Sequence, residues 1–472
     1  MSSLSSSNLS KLHGKLPIAL LSLAAASLIA AGCGGSIQST NPATSNVTGS
    51  SFVIATDAPM ASVTSFAVQI NSVVATEANG STVSLVSGTP TVDFARYNGL
   101  QTLLDMNDVP AGTYTGVTIA LGPATLAYLN TSSSGPTITS EAASLTTSTL
   151  TYTTPTPIVV SQSGPAGLRL DFDLRKSILV DSNGNITGQV TPTFNVSAVG
   201  PSDSGAYIDE FDAAVVSVNT TAQSFVVQGP HGRQFTITVT GNTAWDNGES
   251  LSALTTSSIV QVSGELDKAD ATIDADEVAI LSQNGFYASG QVTYVTQTSG
   301  SPATSFDLYV RGLLPATTGL TLGQIAQIDL SGSENFFIYR MHNTLTQFLF
   351  SSSNMLAGQD VAIGGPATGA SNPQAVTTKR VVLKHWGFNG TVVAGSLNPG
   401  ANTFQMQVNG FAGLLVPQTV TVYVSSDTTF RDGLTAFSSV TASANVRVVG
   451  LLIKDPTSGQ TVLLARYVDL LN

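Results

Sequence analysis

Apolar and polar residues alternate with a period of two through much of the chain. Phe66, Val68, Ile70 and Val74 fall on one face of a predicted strand, and Val117, Ile119 and Leu121 on one face of another. Phe194 and Val196, then Phe235, Ile237 and Val239, then Val420, Val422 and Val424 repeat the pattern. Asn79-Gly80, Asn183-Gly184 and Asn389-Gly390 sit between such runs, where Asn-Gly suits the φ > 0 positions of a type I′ hairpin turn. Only Gly99 to Met106 carries a trace of helical period. The pattern predicts an all-β protein.

An internal repeat refines that expectation. Thr243-Ala244-Trp245-Asp246-Asn247-Gly248 is followed by Leu251, Leu254, Val260 and Val262-Ser263-Gly264-Glu265-Leu266. Thr428-Thr429-Phe430-Arg431-Asp432-Gly433 is followed by Leu434, Phe437, Val446 and Val448-Val449-Gly450-Leu451-Leu452, with the aromatic and the glycines in the same order. A divergent middle copy rests on Leu356-Ala357-Gly358-Gln359-Asp360-Val361 and Gly364. The copies span residues 207–283, 285–384 and 386–472, after a Gly200–Gly205 linker. The predicted architecture is an N-terminal β-sandwich over 51–200 followed by three small β-barrel-like repeat domains.

Thr56-Asp57-Ala58-Pro59, Val109-Pro110-Ala111-Gly112-Thr113-Tyr114, Leu170-Asp171-Phe172-Asp173 with Lys176-Ser177, and Thr191-Pro192-Thr193-Phe194 occur in order in the first block. On these pieces the block resembles a bacterial domain of unknown function, number 4382, and the repeats resemble domain of unknown function 5666. The resemblance implies β-domains of exported proteins and supplies no catalytic residue. The departure is Thr131 to Pro157, Ser/Thr-rich and predicted to be a long surface loop.

Residues 1–32 carry Lys11, His13 and Lys15, then an apolar run from Leu16 to Ala31, the pattern of a signal peptide. About 16 residues rise roughly 24 Å, short of a membrane core. Cys33, the one cysteine, follows Leu28-Ile29-Ala30-Ala31-Gly32 and resembles the lipidated cysteine of bacterial lipoproteins, although Ala30 stands where Leu is usual. The resemblance implies acylation at Cys33, and Gly34 rather than Asp fits delivery to the outer membrane, on its periplasmic or surface face. Ordinary secretion is the plainer alternative. Residues 33–50 read as a flexible tether.

Without residues 1–32 the charge is 15 − 29 = −14, against −12 for the whole chain. No basic run exists, which argues against nucleic acid. No Gly-rich loop opens a helix, so nucleotide binding is not expected, and no cofactor is implied. A lone cysteine forms no internal disulfide.

Candidate chemistry is sparse. Asp171 and Asp173 share a strand face about 6.6 Å apart, the spacing of a carbohydrate-active enzyme's acids. Arg169 and Arg175 flank them, which would lower both pKa values and make a solvated charge ladder the simpler reading. Asp181-Ser182-Asn183-Gly184-Asn185 begins like a calcium loop but lacks the later Gly and Glu, and reads better as a hairpin tip. Asp267, Asp270, Asp274, Asp276 and Glu277 form the densest acidic cluster, a candidate calcium site if their oxygens converge. His231, His342 and His385 are too scattered for a zinc site. Phe336-Phe337-Ile338-Tyr339 and Phe348-Leu349-Phe350 form either an aromatic platform for sugar or buried strand side chains.

The expectation is a non-enzymatic, lipid-anchored cell-envelope protein, structural, adhesive or binding polysaccharide or an envelope protein. A carbohydrate-active enzyme module and a calcium-stabilised surface binder are the alternatives.

Overall fold

Phe52-Val53-Ile54-Ala55 breaks the alternation with four apolar residues in a row, as a strand covered on both faces does. In the computed structural model the strand Thr48–Ala58 runs parallel to Ala166–Asp173 and antiparallel to Thr102–Pro110, with Phe194–Val199 at the sheet edge. Val53 and Ala55 enter the core of the sandwich, while Phe52 and Ile54 enter the core of the first barrel-like unit. The structure describes residues 48–58, 60, 63–132, 135–162, 164–229, 232–267, 272–283, 285–298, 301–314, 319–339, 345–366, 375–408 and 418–471. The signal-peptide segment and Cys33 lie outside them.

The second sheet of the sandwich is built on Val63–Glu77 and Gly112–Ser132. The two sheets meet through Phe66 on Phe172, with ring centroids 4.8 Å apart, and Phe172 also packs on Phe194 of the neighbouring strand in its own sheet at the same distance. Such pairs add to the area that the rings remove from water.

Several local expectations change. The Ser/Thr-rich stretch Thr131 to Pro157 is not a long loop: Gly135–Ala142 and Thr149–Val160 both pair with Gly112–Ser132. Leu150 and Tyr152 are half-buried and Thr149 and Thr151 exposed, so β-branched threonines supply the outer face of a strand. Gly99 to Met106 is turn and strand. Leu103 packs on the first barrel-like unit and Leu104 on the sandwich, and two buried faces mimic a helical spacing. A register shift between Ile70 and Ser72 moves the buried face of its strand to Val73 and Ala75, leaving Val74 half-buried. Asn389-Gly390 lies inside the strand Trp386–Val392, where a Cβ on Gly390 would stand 2.4 Å from the Gln407 carbonyl oxygen. At the other two Asn-Gly turns only the glycine takes positive φ, 90° at Gly80 and 84° at Gly184, so neither is type I′.

The three C-terminal units share one path. In the first, Ile208–Asn219, Ser224–Gln228 and Gln234–Thr238 form a meander, and the hairpin Ile259–Leu266 and Ile273–Ser282 returns to pair Ile273 with Ile237. This closes five strands into a barrel. In the third unit Trp386–Val392, Thr403–Val408, Gln418–Tyr423, Asn445–Lys454 and Thr461–Leu470 repeat it, with Leu463 beside Val422. The second unit follows the same order, its last strand divided into Ala375–Thr377 and Arg380–Lys384. Thr243 Oγ1 donates to the Ala275 carbonyl at 2.7 Å and Thr428 Oγ1 to the Ala465 carbonyl at 2.8 Å, the same bond in two copies. The 3₁₀ turns Leu251–Ala253, Ser352–Asn354 and Phe437–Ser439 are each followed directly by a buried residue, Leu254, Met355 and Val440. The divergent middle copy thus keeps the turn that its sequence obscures.

Apolar cores cross between units. Ile259 and Leu281 of the first pack with Tyr287 and Val382 of the second, and Leu451, Ile453, Val462 and Leu464 of the third complete the core of the second. Residues 46–472 form one compact unit. The F52A variant should therefore lower the free energy of unfolding by about 3–5 kcal/mol. In denaturant titrations, tryptophan fluorescence from Trp245 and Trp386 and far-UV circular dichroism should still report one shared transition, whereas L349A, at a residue 68% exposed, should leave it in place.

Candidate functional site

Ile208-Asp209-Glu210-Phe211-Asp212 opens the first barrel-like unit, and all three of its acids are buried. Buried carboxylates need partners, because desolvation disfavours the charged form. Each surrounding unit supplies one. Arg96, in the 3₁₀ turn Phe94–Tyr97 of the sandwich, places Nη2 3.1 Å from Glu210 Oε2 and also donates to Asp212. Lys384, at the end of the second unit, lies 3.3 Å from Glu210 and 3.2 Å from Asp212. Arg466 of the third unit reaches Asp209 Oδ1 at 3.3 Å, to which Tyr467 also donates at 2.6 Å.

The charges respond to this enclosure. Burial alone would raise the Asp212 pKa, but Arg96 and Lys384, with the Tyr287 hydroxyl donating to it, hold it well below the usual carboxylate range. For Asp209 burial prevails over Arg466 and Arg431, and its pKa rises. Asp360, also buried, is pushed up by desolvation to about 6 despite Arg311 and Lys384. Next to it, burial and the neighbouring Arg466 and Lys384 push His385 well below its ordinary value, so it stays neutral, edge-on to Tyr339 at 5.9 Å.

A cavity of about 450 Å³ opens beside this cluster, where the sandwich and the first two barrel-like units meet. Arg96, Asp212, Tyr287 and Arg311 give it a polar side, and Leu104, Phe235, Leu313 and Leu322 an apolar one. Its size falls in the roughly 300–1,000 Å³ range of small-molecule sites. Arg311 places Cζ over the Trp386 ring, 4.0 Å from its centroid, and donates through Nη2 to the Thr64 carbonyl. Its closest ion-pair contact is Asp360 Oδ1 at 4.0 Å, and Nε and Nη1 have no hydrogen-bond acceptor. Desolvation lowers its pKa.

A second ionic group ties the sandwich to the third unit. Asp469 accepts from Arg431 and Arg447, both at 2.7 Å, and Arg431 donates to the Gly99 carbonyl at 2.9 Å. Gly99 has φ +74°, and a Cβ there would meet Arg447 Nε at 2.6 Å.

The residues singled out from the sequence lie elsewhere. Asp171 faces Arg169 at 4.0 Å, but burial outweighs that cation and raises its pKa, contrary to the expected lowering. Asp173 caps the short helix Leu174–Ser177 by accepting from the Lys176 N–H, and Arg175 belongs to that helix, so the expected four-residue strand ladder does not form. Asp181 closes a hairpin turn by accepting from the N–H groups of Asn183 and Asn185. On the strand Ile273–Ser282, Glu277 is buried while the adjacent Asp276 is exposed on the other face; Asp274 and Asp267 are half-buried. Asp270, His231 and His342 lie outside the described residues, among which no three His, Cys, Asp or Glu side chains group as metal ligands. Tyr339, Phe348 and Phe350 are buried.

The hub residues escaped the sequence reading. Their signal is a charge inside an apolar strand, as in Val381-Val382-Leu383-Lys384-His385-Trp386 and Leu463-Leu464-Ala465-Arg466.

Residues 48–188 match the family model of a domain of unknown function (DUF4382). Residues 213–279 match that of a second domain of unknown function (DUF5666). Both are the families that the motifs suggested. The first match contains Arg96 and ends within the sandwich; the second covers most of the first barrel-like unit. Asp209, Glu210 and Asp212 fall between the two matched segments. No curated protein matches the chain.

Asp360 predicts a pH dependence. Its folded pKa of about 6 exceeds the roughly 3.9 of an unfolded Asp, so its contribution is full below about pH 4 and disappears as pH rises through 6. Guanidinium titrations between pH 4 and 7 should show about 2 kcal/mol of stability lost to this group, and D360N should abolish that component. R96M should destabilise by about 3 kcal/mol at pH 7, because it strips a cation from two buried acids.

Proposed function

We propose that the chain is a non-enzymatic, lipid-anchored protein of the bacterial cell envelope that serves as a rigid binding scaffold. One observation carries the scaffold reading: Asp209, Glu210 and Asp212 of the first barrel-like unit are each paired with cations from other units, so the units share one ionic centre beside a cavity. Domains meant to move independently would meet across small, wet contacts. Here Lys384, Glu210 and Asp212 are shut off from solvent where units meet.

The envelope part rests on the run from Leu16 to Cys33 and on the tether that follows it. An acylated Cys33 would hold this body at a bilayer surface, with the tether setting its reach. Polysaccharide and envelope proteins remain the partner classes, contacted through loops and sheet edges.

Metabolic labelling with a fatty-acid probe in a bacterial host should incorporate label into the wild-type chain and none into C33A. Unlabelled wild-type protein, exported and processed, would reduce the assignment to secretion without an anchor.

A further inference from the structure

We infer that Arg311 and Asp360 form a pH-responsive latch where the sandwich and the second and third barrel-like units meet. Ionisation of the acid draws the guanidinium away from Thr64 and Trp386 and loosens the junction.

The geometry is that of a pair held just short of contact. Arg311, on the strand Ser305–Leu314, and Asp360, on the strand Asp360–Pro366, both belong to the second unit. Their side chains are only 1% and 2% exposed. Nη1 stands 4.0 Å from Oδ1, beyond hydrogen-bond reach, and neither Nη1 nor Nε has an acceptor. The remaining nitrogen, Nη2, is used outside the unit, on the Thr64 carbonyl of the sandwich. Cζ lies over Trp386, which opens the first strand of the third unit. One side chain therefore touches two other units while its free donors point to an acid of its own. Buried donors are costly to leave unfilled, and a carboxylate fills guanidinium donors best.

Protonation decides whether the pair closes, because a neutral carboxyl attracts a guanidinium far less than a carboxylate does. Desolvation pushes Asp360 up to about 6, although Arg311, Lys384 and Arg96 favour its charge, and Glu210 adds to the rise. Its strand neighbours are Lys384 on one side and the uncharged Gln291 on the other. Lys384 and Arg96 are both committed to Glu210 and Asp212. Asp93 and Tyr309 also face Arg311. Asp93 already accepts from Ser65 Oγ at 2.8 Å and from the Phe66 N–H at 2.9 Å, and burial raises the Tyr309 pKa, so its hydroxyl keeps its proton. Below about pH 6 the acid is neutral and the guanidinium stays on Thr64 and Trp386. Above it, the carboxylate takes up Nη1 and Nε, and the contact with the other two units slackens. That direction matches the loss of stability expected as Asp360 ionises.

Trp386 reports the latch, and W245F removes the only other tryptophan. In the full W245F chain, Trp386 emission should shift in a single titration with a midpoint near pH 6, while far-UV circular dichroism stays constant. Adding D360N, which keeps the group neutral, should hold the low-pH emission throughout. Adding R311Q, which leaves the acid and removes the cation, should abolish the shift. Above the midpoint, at one common pH, amides of Val63–Phe66 and Trp386–Phe388 should exchange faster in W245F than in W245F/D360N. A flat emission profile overturns the inference, as does a titration unchanged by D360N or R311Q, or equal exchange in the two chains.

Discussion

Three buried acids on one strand, Asp209, Glu210 and Asp212, set the terms for the assembly. Enclosed without partners they would be severely destabilising, since an isolated buried charge loses its hydration with no return. Their partners come from separate regions: Arg96 from the sandwich, Lys384 from the second barrel-like unit and Arg466 from the third. The first unit is thus electrostatically complete only when the other three are docked. Apolar contacts such as Phe52 against the first unit and Leu451 against the second supply the favourable area, and the ionic centre fixes which docking is accepted.

Selectivity is the better account of this arrangement than raw stability. Buried pairs roughly offset their own desolvation, and apolar residues of similar volume often serve as well energetically. A slipped or swapped unit, however, would bury Glu210 or Asp212 without a cation. Three barrel-like units with one strand path are prone to exchanging places, and charge offers a way to tell them apart.

The sequence was informative wherever one face of a strand meets water. Val117, Ile119, Leu121, Phe235 and Ile237 are buried as their alternation requires. The repeat motifs Thr243–Gly248 and Thr428–Gly433 mark equivalent turns, each with a non-glycine residue at positive φ, Asn247 and Asp432, before the glycine. Reading failed where both faces are covered. Leu103 and Leu104 point into different cores and so imitate a helix. The junction was hidden for a related reason: Arg96, Asp212 and Lys384 are far apart in the chain, and nothing local in any of them announces its partner. Of the carboxylates that do cluster in sequence, Asp274, Asp276 and Glu277 lie on one strand, and the two-residue period turns Glu277 to the face opposite the other two.

Asp469 and Arg466 belong to the strand Thr461–Leu470, the final described element of the chain. This strand follows every other part of the hub in the chain and is synthesised after them. Until it arrives, Asp209 lacks its guanidinium and Arg431 and Arg447 lack their shared carboxylate. A chain cut before Thr461 would therefore carry an unfinished centre and be open to proteases.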